Sequence, residues 1–235
     1  GSQYRRQYID WALFHMEHSF VSAWRRYRRA LKQRNQAIKL QATKAAICAW
    51  DHELIENNLE IDRLRRVYIG KIQEELNKYL DLFLPNIELT LNYYDGGVKG
   101  SEYASLLAEK FESDCLRGVT QYGAHKADII IKTKNNFPAK DILSRGQQKT
   151  LLIALILAKL DIIVSHEQDI RPVLLIDDIA TELDKEILAK IATYLKKFQA
   201  QTIITQINKN DIDLSILPSE SKMFHVEHGT IEQNI

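Results

Sequence analysis

Asp141-Ile142-Leu143-Ser144-Arg145-Gly146-Gln147-Gln148-Lys149, followed downstream by Val173-Leu174-Leu175-Ile176-Asp177-Asp178, decides how the rest of this chain is read. Four large apolar residues ending in two adjacent carboxylates describe a buried parallel strand that delivers acids to the carboxyl edge of a sheet, where α/β folds bind nucleotides. Two acids suit a Mg²⁺ that keeps several of its waters: Asp177 to anchor the shell of the ion and Asp178 to orient an attacking water. Leu143-Ser144-Arg145-Gly146-Gln147 opening a long apolar helix places a hydroxyl, a close-approach glycine and free backbone N–H groups at the positive end of the helix dipole, a site suited to phosphate. Ser144 can serve as the N-cap at the same time. Paired aspartates alone can simply close a strand and begin a turn; it is their spacing from the Leu-Ser stretch, with Thr181-Glu182-Leu183-Asp184 following, that makes the pattern specific.

The two elements together resemble the signature motif and Walker B strand of ABC-type ATPases, and Thr181 to Asp184 resembles their D-loop. A P-loop requires G-x-x-x-x-G-K-[ST], and none of the nine glycines begins one. Gly146-Gln147-Gln148-Lys149-Thr150 has the wrong internal spacing and lies in the signature helix. The expected architecture is therefore α/β with an α-helical hairpin lid: an ABC-type, SMC-like ATPase head without its N-terminal Walker A lobe. Gly1-Ser2 reads as a tag-cleavage scar and the chain as a C-terminal fragment. Alone it should bind ATP weakly or not at all and be inactive as an ATPase.

With 235 residues, 45% apolar and 27% charged, the chain can bury a core and falls in the ordinary globular class. The longest apolar run, Leu151 to Ala158, is too short to span a membrane, so a cytoplasmic location is expected. Cys48 and Cys115 lie far apart without metal spacing and read as inert thiols. A net charge of +1 hides an asymmetry: residues 1–50 hold ten Lys/Arg against two Asp/Glu, and 51–95 hold five against ten. Such a basic segment suits a charged partner.

From Phe20, the apolar positions Trp24, Tyr27, Leu31 and Ile38 form a helical stripe with basic faces around it. Asp51 reads as the cap of a second helix with the stripe Leu54, Ile61, Leu64, Tyr68, Ile72, Leu76, Leu80 and Phe83, closing at Pro85; about 32 residues make a rod of roughly 48 Å. The pair is expected to form a projecting hairpin arm over 3–84, with the head over 85–235. There, Ile87, Leu89, Leu91 and Tyr93 alternate as a half-buried strand before the turn Asp95-Gly96-Gly97. Ser101 to Cys115 reads as helix, Val119 to Tyr122 and Ala127 to Thr133 as strands, and Asn135 to Pro138 as a loop. Residues 143–206 then alternate helix, strand, helix, strand.

The stretches Leu143 to Lys149, Leu174 to Asp178 and Gly123-Ala124-His125-Lys126-Ala127-Asp128, with Trp11, Phe14, His15 and Leu31 to Asn35, are similar to the RecF family of bacterial DNA-repair ATPases. The resemblance covers nearly the whole chain. It implies a helical lid and the C-terminal part of the head of a protein that dimerises with ATP and Mg²⁺ on DNA, double-stranded or at single-strand/double-strand junctions. It also implies slow DNA-dependent hydrolysis and a place near the nucleoid in recombinational repair and the SOS response, helping load RecA at gaps with RecO and RecR. In such dimers the signature of one subunit, here Ser144, Arg145, Gly146 and Gln147, closes over nucleotide held by the other. Arg145 stands where transporters have glycine and adds charge beside the phosphates. Asp178 replaces the usual Glu, consistent with slow turnover, and Gln206 stands where transporters have a switch histidine.

Arg25, Arg26, Arg28, Arg29, Lys32 and Arg34, with Trp24 and Tyr27 between them, are candidate contacts to a phosphate backbone; the plain alternative is a solvated helix face. His125 and Lys126 suit either a phosphate or a contact to the lid. Two other functional classes stand as alternatives. SMC-class architectural ATPases have arms of hundreds of residues, whereas this hairpin has under 80. A helical interaction module without catalytic role is the other, with the head as its platform.

Overall fold

The computed structural model describes residues 1–98, 102–166, 171–179, 183, 185–197, 201–207 and 220–234. Helix α1 (Ser2–Met16) and helix α2 (His18–Lys39) are separated by one extended residue, Glu17. The inward face of α2 carries Phe20, Ala23, Tyr27, Ala30, Arg34 and Ile38, a spacing of three and four residues that makes one stripe. Trp24 and Leu31, expected within that stripe, lie half-buried at its margin. After the short helix α3 (Lys44–Cys48), capped by Thr43, comes α4 (Asp51–Phe83), whose 33 residues give a rod of about 50 Å. All eight residues of its expected stripe are buried. Asp51 is the first helical residue and not the cap; its carboxylate turns inward to accept from Arg34 Nε at 2.8 Å.

The arm does not project freely. The first half of α4 packs on α2, while Leu76, Tyr79, Leu80 and Phe83 share a core with Leu151, Ala154, Leu157 and Ala158 of helix α8 (Arg145–His166). Tyr194 Oη donates to Asp161 Oδ1 at 2.7 Å, and the Tyr79 hydroxyl reaches both, so one carboxylate joins the lid rod to two head helices. At the other end, Lys159 of α8 lies over the rings of Tyr8 and Trp11 of α1, 5.0 and 4.7 Å from their centroids. Among the described residues no helix is long and apolar enough to cross a membrane.

Strands β1 (Leu89–Tyr94) and β2 (Asp128–Thr133) pair antiparallel, Leu89 opposite Thr133. Between them, the expected single helix breaks at Lys110 into α5 (Tyr103–Glu109) and α6 (Phe111–Arg117). Tyr103, Leu107 and Ala124 belong to the same core as Phe20, Tyr27 and Leu54, so the lid's core extends past the boundary at residue 84. The strand expected at Val119 to Tyr122 does not form. Side chains take its backbone amides: Asn35 Oδ1 accepts from the Thr120 N–H at 2.8 Å and Asp114 Oδ1 from the Gln121 N–H at 3.1 Å. Asp95 Oδ1 accepts from the amides of Gly97 and Val98, and Gly96 there has φ +81°; a Cβ on Gly96 would sit 2.0 Å from the Gly123 carbonyl oxygen.

After the one-turn helix α7 (Ala139–Ile142) and α8, strand β3 (Val173–Ile176), helix α9 (Lys185–Lys197) and strand β4 (Gln201–Ile204) give a parallel pair with the helix between, the expected alternation. The burial differs from expectation. Leu174 is buried, but Val173 and Leu175 are 54% and 68% exposed, because among the described residues the apolar core covers only one face of this pair. Strands β5 (Met223–Glu227) and β6 (Thr230–Asn234) close the chain as a hairpin through His228 and Gly229, both with positive φ, the geometry a two-residue turn demands.

Candidate functional site

The acid turn is built where β3 ends. Ile176 is paired with Ile204, so the residues that follow, Asp177 and Thr205, emerge side by side at the carboxyl ends of the two strands. Thr205 Oγ1 donates to Asp177 Oδ1 at 2.5 Å and accepts from the Asp178 N–H at 2.8 Å. The Thr205 main chain closes the same turn, its N–H donating to Ile176 O and its carbonyl accepting from the Ile179 N–H. Asp178 adopts φ +47°, a left-handed conformation that Asp tolerates better than most residues. Its Oδ1 is buried with no hydrogen-bond partner among the described residues, whereas Asp177 is exposed. Lys149, on α8, donates from Nζ to the Asp178 carbonyl, tying the signature helix to the acid turn.

The tip of α8 carries a reciprocal cap. Ser144 Oγ accepts from the Gln147 N–H at 3.2 Å, and Gln147 Oε1 accepts from the Ser144 N–H at 2.9 Å. The amides of Arg145 and Gly146, the other donors of this first turn, receive no acceptor among the described residues. Ser144 and Arg145 are exposed, and Gln148 fastens the tip from below by donating to Lys140 O and Leu143 O. An exposed helix tip with two amides unclaimed among the described residues and an adjacent guanidinium fits an anion. The acid turn, with one pinned and one unpaired carboxylate, fits a hydrated divalent cation and a water. Thr181 and Asp184 of the expected D-loop lie outside the described residues.

The basic segment divides. Arg25, Arg26, Arg28 and Lys32 are exposed on the outer face of α2; Arg29 is exposed too and pairs with Glu53 at 3.0 Å. Arg34 is a correction to the sequence reading: its side chain is fully buried and cannot meet a ligand from solvent. Its Nε donates to Asp51 and its Nη1 to Asp114 Oδ2 and Thr120 Oγ1, both at 2.7 Å. Burial opposes its charge, but hydrogen bonds to Asp114 and Asp51 outweigh that and hold it above the ordinary arginine value. Arg65 is a second buried fork, bonded to both oxygens of Asp10 and to Ala124 O.

His125 contacts the lid. Its Nε2 faces the Thr120 carbonyl at 3.0 Å and so must carry the proton, which leaves Nδ1 to accept from the Tyr27 hydroxyl at 2.7 Å. Burial, aided by the charges of Lys126 and Arg6, pushes it down to about 4. Cys48 and Cys115 are free and half-buried, and burial raises both thiols. Sequence reasoning missed Thr205 and Lys149 as parts of the site. Aligning the ends of the two strands would have placed Thr205 beside Asp177, while nothing in the helix pattern singled out Lys149.

Residues 14–232 match the model of the RecF/RecN/SMC N terminal domain. The chain is 39% identical over 233 residues to the DNA replication and repair protein RecF of Vibrio atlanticus (strain LGP32), covering 99% of this chain and 64% of that protein. It is 38% identical over 232 residues to RecF of Proteus mirabilis (strain HI4320), covering 99% and 63% respectively. Among solved structures, the recombination mediator protein RecF bound to ATP, of the RecFOR pathway, superposes with a TM-score of 0.82 at 23% identity, over 100% of this chain and 64% of that one. This establishes a common fold. The chain spans just under two thirds of the length of the relatives it matches.

Proposed function

The chain belongs to the RecF/RecN/SMC N-terminal domain family, and from that premise we propose that it carries the metal-binding and signature half of a composite ATP site in a RecF-type DNA-repair protein. The observation that carries the reading is the acid turn at the carboxyl end of a parallel strand, braced by Thr205 and tied through Lys149 to the helix whose capped tip is Ser144. Asp177 would hold Mg²⁺ through its water shell, and Asp178 would orient the attacking water. Bound Mg²⁺ supplies neutralisation of charge on the phosphates. Ser144, Arg145, Gly146 and Gln147 would meet the terminal phosphate of ATP held by a second copy, with the Arg145 and Gly146 amides as donors. Thr181 and Asp184 would follow as the D-loop.

The exposed basic face of α2, Arg25, Arg26, Arg28, Arg29 and Lys32, would contact the DNA backbone. The setting proposed is recombinational repair with RecO, RecR and RecA, as an ATP-dependent homodimer on gapped DNA. Similarity to proteins called RecF and the RecFOR setting of the structural relative support it. The test is Asp178→Asn in the complete natural protein that contains this chain: hydrolysis should fall while an ATP-bound dimer accumulates. Unchanged turnover would remove Asp178 from the role.

A further inference from the structure

Two neighbouring aspartates are chemically alike, and a site that needs one as metal anchor and the other as water-orienting group must make their surroundings differ. Here the difference comes from one hydroxyl. A threonine oxygen has one proton to give and lone pairs to accept. The Asp178 amide points into Thr205 Oγ1 at 2.8 Å, so the oxygen accepts there, and its single proton goes to Asp177 Oδ1 at 2.5 Å. Asp177 Oδ1 is thereby fixed as the acceptor of that proton, with Oδ2 left for other contacts. The carboxylate of Asp178 receives no such donor: its Oδ1 is buried with no partner among the described residues. The peptide of Asp178 is nevertheless fixed on both sides, by Thr205 at its N–H and by Lys149 at its carbonyl, which holds the left-handed φ of +47°.

We propose that Thr205 is the positioning residue that differentiates the acid pair: its hydroxyl pins Asp177 for the divalent cation and holds Asp178 in the left-handed turn that leaves the second carboxylate unpinned. The inference rests on reading this turn as the metal-binding half of an ATP site. Thr205 is exposed, so removing its hydroxyl lets water replace the lost partners and leaves the fold largely intact. Lys149 serves the same turn from the opposite side and couples it to the signature helix.

The test uses the complete natural protein, Mn²⁺ as the probe and electron paramagnetic resonance to measure free ion in the presence of ATP. Thr205→Val, which keeps the shape and loses the hydroxyl, should weaken Mn²⁺ binding about tenfold, the scale of one charge-assisted hydrogen bond. Thr205→Ser should restore it to within about twofold, and ATP binding without metal should be the same in all three proteins. Mn²⁺ binding by Thr205→Val equal to wild type would overturn the inference. So would equal loss in the Val and Ser variants with a lowered melting temperature, which marks a role in the strand end alone. If Asp177→Asn binds Mn²⁺ with ATP as well as wild type does, the acid-turn reading itself fails and Thr205 falls with it.

Discussion

Replacing Arg34 by Ala tests the account of the lid's core. The side chain is fully buried, and its guanidinium meets Asp51, Asp114 and Thr120, tying α2 to the start of α4, to α6 and to the coil after it. Asp114 is 1% exposed. Its Oδ1 already accepts from Gln121, so truncation strands Oδ2 without a donor in a dry site, while Asp51, near the surface, can be rehydrated. One orphaned buried carboxylate sets the scale, about 3–5 kcal/mol. At about 2–4 °C per kcal/mol for a chain of this size, the melting temperature should fall by roughly 6–20 °C. The assay is thermal unfolding followed by circular dichroism, with Arg34→Lys as a control that keeps charge but loses the fork and should lie between. Pairing Arg34→Met with Asp114→Leu should recover much of the loss, since an apolar replacement removes the orphan. A loss below about 1 kcal/mol, with weakened salt-dependent DNA binding instead, would refute this reasoning and return Arg34 to the DNA face.

His125 is neutral in the fold down to about pH 4 but ionises near 6.5 when unfolded. The unfolded chain therefore binds more protons between these values. Stability present above pH 6.5 is lost as pH falls toward 4, about 3 kcal/mol in all, and urea titrations of wild type against His125→Gln should show that slope only in the former. Gly96→Ala brings a Cβ to 2.0 Å from a carbonyl oxygen at φ +81° and should cost more than about 3 kcal/mol by thermal melting; a loss under about 1 would contradict the close approach. Changing Arg25, Arg26, Arg28 and Lys32 together to Ala should flatten the log–log salt dependence of DNA binding by up to about four, measured by fluorescence anisotropy, and an unchanged slope would remove this face from the interface.

What the sequence could reveal depended on periodicity and spacing. The stripe of α4, the helix–strand alternation through β4 and the tip at Ser144 carry strong local patterns, and each appears in the fold. Helix α1 went unread because its apolar residues, from Tyr4 to Met16, run around several faces. Arg34 misled because a buried arginine and a solvated one look the same until Asp51, 17 residues away, and Asp114, 80 away, are brought to it. The coil at Thr120 read as a strand because nothing local shows that Asn35 and Asp114 claim its amides. Thr205 meets Asp177 only through strand register, 28 residues apart in the chain. The aspartate pair and the signature were legible because their chemistry is local, while the residues that position them were not.

The most direct measurement is ATP-dependent dimerisation of the complete natural protein on gapped DNA, wild type against Ser144→Arg, with nucleotide binding followed in parallel. If the α8 tip closes over nucleotide held by a second copy, the variant binds ATP normally and loses the dimer. A dimer that forms equally in both proteins, or without ATP, would contradict the composite site.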